Sequence, residues 1–459
     1  MSETFQTHDP ATGELLDTYT LLTDDELDAA IGRCHDAFLS WRKKSLEERA
    51  KVIAAIGEEL SSRKESLADL MTAEMGKLRR QSTQEVDLCA AICAYTAEQG
   101  PEVLAEEERE LDGGRKGIVS YQPLGVIYGI QPWNFPLYQA IRFSVACLMA
   151  GNGVVFKHAA NVLGCGEALQ EVMEAAGLPE GLFVHVIIDH DQSDTVIADA
   201  RVRGVTFTGS AGAGRTIAKV AAENLKKTVL ELGSNDAYVV LADADLDAAV
   251  KACVTGRVYN NGETCVAAKR FVVVDSLFDA FRDAFVKRMQ SLTVGDPKGD
   301  EARLGPMARE DLRETLHEQV QESVAKGAEL LCGGEIPDGP GWFYPATVLS
   351  EVAPGQPAYD DELFGPVAAL IRAEDDVDAM RIANDSRFGL GGGIFSTNRE
   401  EAIRLAREEF DTGMVFVNGF GLAVPNMPFG GVKDSGYGRE HGGFGLREFV
   451  NVKAIQVRG

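Results

Sequence analysis

The stretch Val205-Thr206-Phe207-Thr208-Gly209-Ser210-Ala211-Gly212-Ala213-Gly214 decides the fold. Four strand-forming residues give way, through a glycine-rich turn, to a run that continues as a helix to about Asn224, and Thr228 to Leu232 reads as the next strand. Upstream, Val154 to Lys157 is a buried-type strand, Val162 to Ala176 a helix, and Leu182 to Ile188 another strand. Such alternation predicts a parallel sheet with helices on both faces. A second alternating series runs from Asp245 to about Asn418. The fold class is therefore α/β with two parallel-sheet units, and the cleft between two such units is the default place for a ligand.

Before these units, residues 23 to about 110 read as helices. Thr23 can cap a helix through Trp41, Ser45 with Glu48 forms a capping box, and apolar residues recur at helical spacing through Met75. Gly117 to Ile130 alternates and reads as a hairpin, ended by Pro132-Trp133-Asn134-Phe135-Pro136. Pro136 starts a helix to about Met149. The tail, Leu446 to Val457, is an extended segment able to pair elsewhere.

At 459 residues there is chain for about three domains. A formal net charge of −26 argues against nucleic acid or anionic membrane as partner, since phosphate binding needs Lys and Arg. The eight cysteines show no repeated spacing and no accompanying His pair, so neither a disulfide framework nor a metal site is expected. Met1 to Pro10 is unlike a targeting peptide, and the longest apolar run, Phe143 to Phe156, is too short to span a bilayer. These features predict a cytoplasmic protein.

Chemistry-bearing residues stand out at particular places, each with a plain structural alternative. Asn260-Asn261-Gly262-Glu263-Thr264-Cys265 carries a thiol out of a turn, placed for reaction or else for core packing. The Gly209-Ser210-Ala211-Gly212-Ala213-Gly214 turn, at a helix N-terminus, can receive a pyrophosphate or simply be tight; Ile217 stands where a third fingerprint glycine would fall. Glu231 ends an apolar strand, as half of an ion pair or as a general base. Asn134 is a helix N-cap or an oxyanion donor. Lys157, at the carboxyl end of its strand, is paired or faces a ligand.

Taken together, the motifs Pro132-Trp133-Asn134-Phe135-Pro136, Phe207-Thr208-Gly209-Ser210, Glu231-Leu232-Gly233, Asn261-Gly262-Glu263-Thr264-Cys265, Glu362-Leu363-Phe364-Gly365-Pro366 and Pro428-Phe429-Gly430-Gly431-Val432-Lys433 resemble the NAD(P)-dependent aldehyde dehydrogenase superfamily, from about Asp9 to the end. The resemblance implies a nucleophilic Cys265, a general base Glu231, and an oxyanion hole built from the Asn134 amide and the Cys265 N–H. It implies that Lys157 and Glu362 hold cofactor ribose hydroxyls, that Trp133 and Phe364 lie by the nicotinamide, and that Gly209, Ser210 and Gly214 face the pyrophosphate. A discontinuous cofactor domain (1–110 and 131–230), a catalytic domain (231–445) and an oligomerisation element (111–130 and 446–459) are implied too, in a homo-oligomer, dimer or tetramer.

The chain departs from the common pattern at Glu263, where many members have Gln, and at Ser234, where a second Gly is usual. Members preferring NAD often carry Glu at the position of Ala160, so NAD or NADP is implied, with NADP tolerated or preferred. Within the superfamily the resemblance is greatest to succinate-semialdehyde dehydrogenases of the compact bacterial and archaeal branch. Those carry an Arg at the offset of Arg142 from Asn134, where it binds the distal carboxylate; an exposed ion pair is the alternative. Phe135 and Phe429 are expected beside the substrate, and Arg257 is a second candidate. The expected substrate is succinate semialdehyde or another ω-carboxy aldehyde. Transfer of the acyl group to CoA, ester hydrolysis, or a non-enzymatic scaffold of the same fold are the competing readings; Glu231 argues against the first, and retention of Cys265, Glu231 and Asn134 against the last.

Overall fold

The structure is a computed structural model that describes residues 3–458; Met1, Ser2 and Gly459 lie outside the described residues, and with them the ends of the expected N-terminal and C-terminal segments. Two large sheets organise the chain. The first has six strands in the order Gly436–Tyr437, Lys227–Glu231, Val202–Thr208, Val126–Ile130, Gly153–Lys157 and Phe183–His185, parallel except for the first. The second has seven: Glu329–Cys332, Thr347–Ser350, Val367–Ala373, Arg270–Val274, Ala237–Val240, Gly392–Phe395 and Phe416–Val417, with only the edge strand Glu329–Cys332 antiparallel. Helices cover both, as the strand–helix alternation requires.

The capping predictions hold at atomic level. Thr23 and Glu26 form a reciprocal box before Asp24–Trp41, and Ser45 and Glu48 do the same before Leu46–Ser62. Each box satisfies two amide donors that a helix start would otherwise leave bare.

The hairpin expected over Gly117 to Ile130 is corrected. Gly125, at φ +152°, breaks the run in two. Arg115–Pro123 pairs with Glu107–Leu111 and with the tail strand Val450–Val457 in a separate three-stranded antiparallel sheet. Val126–Ile130 instead enters the centre of the six-stranded sheet, parallel to both neighbours. Burial explains the choice: its first four residues are buried on both faces, which an exposed ribbon cannot provide. The small sheet therefore comprises Glu107–Leu111, Arg115–Pro123 and Val450–Val457, and Val126–Ile130 belongs to the six-stranded sheet. The six-stranded sheet also takes Gly436–Tyr437 from the far end of the chain.

The helix Pro136–Ala150 is buried around almost its whole circumference. It packs on Arg79–Val103 on one side and on the six-stranded sheet on the other. Any charge it carries must therefore find a partner inside the protein.

Candidate active site

The nucleophile loop is built from backbone strain held by side chains. Asn260, Asn261 and Gly262 take left-handed φ values of 55°, 57° and 79° in succession. Asn tolerates this region better than other side-chain-bearing residues, and Gly is free to enter it. The Asn260 amide donates to the Asn134 carbonyl (2.9 Å) and to the Glu263 carbonyl (3.0 Å). Asn261 donates to the carbonyls of Gly76 and Pro306 and accepts from the Gly305 N–H. Arg257 is fully buried and donates to the Gly262 carbonyl at 2.7 Å. Its role is to hold this loop, which corrects the expectation that it is a second substrate residue.

Cys265 leaves this loop half-buried, against Val266, Leu390 and Phe429 on one side. On the other it lines a cavity of about 240 Å³ together with Pro132, Trp133, Asn134, Thr208, Gly209, Ser210, Glu231, Gly233, Glu362 and Phe364. Sulfur, amide and carboxylate, remote in sequence, thus converge on one space. Asn134 is not the N-cap of its helix; Phe135 holds that position without a side-chain cap. The Asn134 amide turns to the nucleophile loop and donates to the Glu263 carbonyl at 3.1 Å. The missing cap is supplied from elsewhere: Glu85 accepts the N–H groups of Leu137 and Tyr138 at 3.0 and 2.9 Å and pairs with buried Lys77, whose ammonium lies 3.9 Å from the Phe135 ring centre. The sequence reading missed both residues, although a lysine between Gly76 and Leu78 in an apolar context was the available signal.

Glu231 is buried, and neither carboxylate oxygen has a partner. Gly430, at φ +146°, leaves it room, since a Cβ there would come within 2.8 Å of Glu231 Oε1. Burial, and then the negative charge of Glu440, push the Glu231 carboxyl well above the ordinary range, with Arg142 and Arg439 opposing. A carboxyl so placed takes up a proton readily, which is what a general base requires. The Cys265 thiol is pushed up to about 11 by burial, opposed first by Lys269 and then by Arg142.

The cavity lining also carries groups of the kind a dinucleotide needs. Ser210 caps Ala211–Glu223 by accepting the Ala213 N–H, and at Gly212 nothing lies within 4 Å of where a Cβ would stand, so the first helical turn is open to an anion. Trp133 and Phe364 meet edge to face, 5.7 Å between ring centres, as an apolar wall. Glu362 accepts the Ser234 N–H and pairs with Lys269. Lys157 ends its strand partly buried and stands outside the residues that line this cavity. Gly214 is corrected: it faces Leu232, 2.5 Å from a notional Cβ, and lets helix and strand pack closely rather than facing a ligand.

Arg142 is the largest correction. Its guanidinium is matched by Glu440 and donates to Thr208 Oγ1 (3.0 Å) and the Tyr138 hydroxyl (3.4 Å). It stacks over Phe429 at 4.8 Å and is not itself among the residues that line the cavity. The expected free guanidinium does not exist here, because a helix buried on all sides obliges its charge to pair. Phe135 likewise packs on Tyr138 and Tyr259 rather than lining the cavity, while Phe429 stays at the Cys265 side. Glu440, missed in the sequence, comes to the site through paired backbone hydrogen bonds of 2.8 Å with Phe429. Among the described residues no cluster of ligating side chains could hold a metal ion, and no helix is long and apolar enough to cross a membrane.

This architecture has close relatives. The chain is 43% identical over 453 residues to the succinate-semialdehyde dehydrogenase [NADP(+)] 1 of Mycobacterium tuberculosis, covering 98% of this chain and 99% of that one. It is 43% identical over 446 residues to a succinate semialdehyde dehydrogenase [NAD(P)+] of Escherichia coli, covering 97% and 96%. The crystal structure of succinic semialdehyde dehydrogenase from Streptococcus pyogenes in complex with NADP+ superposes with a TM-score of 0.97 at 38% identity, over 99% of this chain and all of that one. The sequence model of the aldehyde dehydrogenase family matches residues 1–455, so a thiol, an amide and a carboxylate gathered beside a glycine turn are here the signature of a lineage, and the chain belongs to the aldehyde dehydrogenase family.

Proposed function

We propose that this protein oxidises succinate semialdehyde to succinate with NADP+, or with NAD+ at lower preference. The observation that carries the reading is the single cavity onto which Cys265, Asn134 and Glu231 open together with Gly209, Ser210 and Glu362. Its relatives' substrates and the Ala160 position, which carries no carboxylate to repel a 2′-phosphate, support the substrate and the cofactor.

Cys265 Sγ, as thiolate, attacks the aldehyde carbon. The oxygen of the resulting hemithioacetal is held by the Asn134 amide and the Cys265 N–H, donors of a kind worth about 3–4 kcal/mol each. Ser210, Glu362 and the Trp133–Phe364 wall would hold a nicotinamide dinucleotide, which when bound would supply the two-electron oxidation of this adduct to a thioester. Glu231 then takes a proton from water as the water oxygen adds to the thioester carbon, and the acid leaves with the thiol restored. Arg142 reaches a substrate carboxylate only by exchanging Glu440 for it, so its part in specificity is narrower than a free guanidinium would have.

The three-stranded sheet, whose tail strand exposes Val452, Ile455 and Val457, supports the reading of a homo-oligomer contact. All eight cysteines are free thiols, which suits a reducing cytoplasm. The test is a panel of aldehydes of equal length with and without a terminal carboxylate, run with NAD+ and NADP+. The expected result is highest kcat/KM for succinate semialdehyde with NADP+; equal values for the carboxylate and its uncharged analogue would overturn the substrate assignment.

A further inference from the structure

Four residues after the nucleophile stands a lysine that neither the motifs nor the mechanism above uses. Lys269 is buried, its side chain 1% exposed. Its backbone N–H goes to the Asp236 carbonyl rather than back to Cys265. The Cys265 carbonyl is instead met by the Lys269 ammonium, Nζ to O 2.5 Å. The same ammonium pairs with Glu362 Oε1 at 3.0 Å and lies 6.0 Å from the Phe364 ring centre. Buried Asp236 faces it as well, bonded through its carboxylate to the Gly391 N–H and the Ser234 hydroxyl. One cation therefore touches the nucleophile's own peptide and the carboxylate at the mouth of the cofactor groove.

We propose that Lys269 is a positioning residue for the reaction: its ammonium fixes the backbone of Cys265, holds positive charge beside the thiol, and makes that charge responsive to the cofactor groove through Glu362. The second half rests on the reading of Glu362 as a cofactor ligand; the first does not. In a buried site, charge at this range is little screened. A neighbouring cation favours thiolate over thiol, and a neighbouring carboxylate opposes it. When ribose hydroxyls draw the Glu362 oxygens to themselves, less of the ammonium's charge is compensated by that carboxylate and more acts on Cys265.

The experiment measures alkylation of the full-length enzyme by iodoacetamide, followed at the Cys265 peptide by mass spectrometry, between pH 7 and 10. Without cofactor, Lys269→Met slows alkylation about threefold or more at each pH below the midpoint, because a thiol pKa higher by about one loses tenfold in thiolate and regains about threefold through the greater nucleophilicity of a more basic thiolate. Lys269→Arg restores the rate to within about twofold. Glu362→Gln moves the rate the other way, upward, with a far-UV circular dichroism spectrum and urea midpoint matching the wild type, which excludes exposure of the thiol by unfolding as the cause. Saturating NADP+, with binding checked by quenching of protein fluorescence, changes the alkylation rate of the wild type but not of Lys269→Met. Unchanged rates in Lys269→Met without cofactor overturn the proposal. A response to NADP+ that survives in Lys269→Met overturns its second half. Absence of NADP+ binding to the wild type counts against the proposed cofactor, while the cofactor-free comparison still decides the role of Lys269.

Discussion

Replacing Arg142 with Met removes a charge whose surroundings allow its worth to be worked out. The guanidinium and Glu440 are 1% and 6% exposed, so their attraction is barely screened by solvent. Removing one partner of such a pair leaves an uncompensated charge indoors, a loss of about 3–5 kcal/mol. The hydrogen bond to Thr208 goes with it, and a charged donor of this kind contributes about 1.5–3 kcal/mol within that total. Arg142→Met/Glu440→Gln takes away the stranded carboxylate, so most of the loss returns, and the cycle yields a coupling of about 2–3 kcal/mol. Urea unfolding followed by circular dichroism measures all four forms. A second readout is pH. Arg142 opposes the upward displacement of the Glu231 carboxyl, so its removal lets Glu231 hold its proton to higher pH, and thioester hydrolysis reaches its half-maximal rate at a higher pH than in the wild type. The third is specificity: with the guanidinium already held by Glu440, KM for succinate semialdehyde rises by no more than that for an uncharged aldehyde of similar length. A single variant as stable as the wild type, with an unmoved pH profile, would refute the pairing argument. A KM rise confined to succinate semialdehyde would show instead that the guanidinium exchanges Glu440 for the substrate carboxylate.

Two further outcomes follow from the cavity. Glu231→Gln retains a burst of one equivalent of reduced cofactor per site in stopped flow but loses at least a hundredfold in steady-state turnover, since water is no longer deprotonated; Cys265→Ala loses burst and turnover alike. Ala160→Glu, which adds a carboxylate at the position where NAD-preferring relatives carry one, raises KM for NADP+ at least tenfold and leaves that for NAD+ within about threefold, measured by initial rates at fixed aldehyde.

Much of this site could be read from residues in a row. Strand alternation, the two capping boxes and the Gly209-Ser210 turn are local signals, and they give the two parallel-sheet units and the helix that follows the turn, though not the strands Val126–Ile130 and Gly436–Tyr437 of the first sheet. Asn134 shows where local reasoning stops. Its propensity favours an N-cap, yet the tertiary structure supplies that function from Glu85 and frees the amide for the nucleophile loop. Arg142 fails for the related reason that its partner lies 298 residues away, on a segment whose periodicity is too short to assign. The split at Gly125 was hidden because alternation describes a hairpin and two separate strands equally well, and only burial tells them apart. Lys269 was passed over since its meaning depends on Glu362, which a linear reading does not bring near.

The edge strand Gly436–Tyr437, which lies beside the end of the strand carrying Glu231, has a consequence for biosynthesis. During translation the thiol leaves the ribosome some 170 residues before the segment that walls in the base. A nascent chain therefore carries its most reactive atom well before it can finish a catalytic cycle. Chains that end before Glu440 lack both this wall and the partner of Arg142, so prematurely terminated products should be inert rather than half-active.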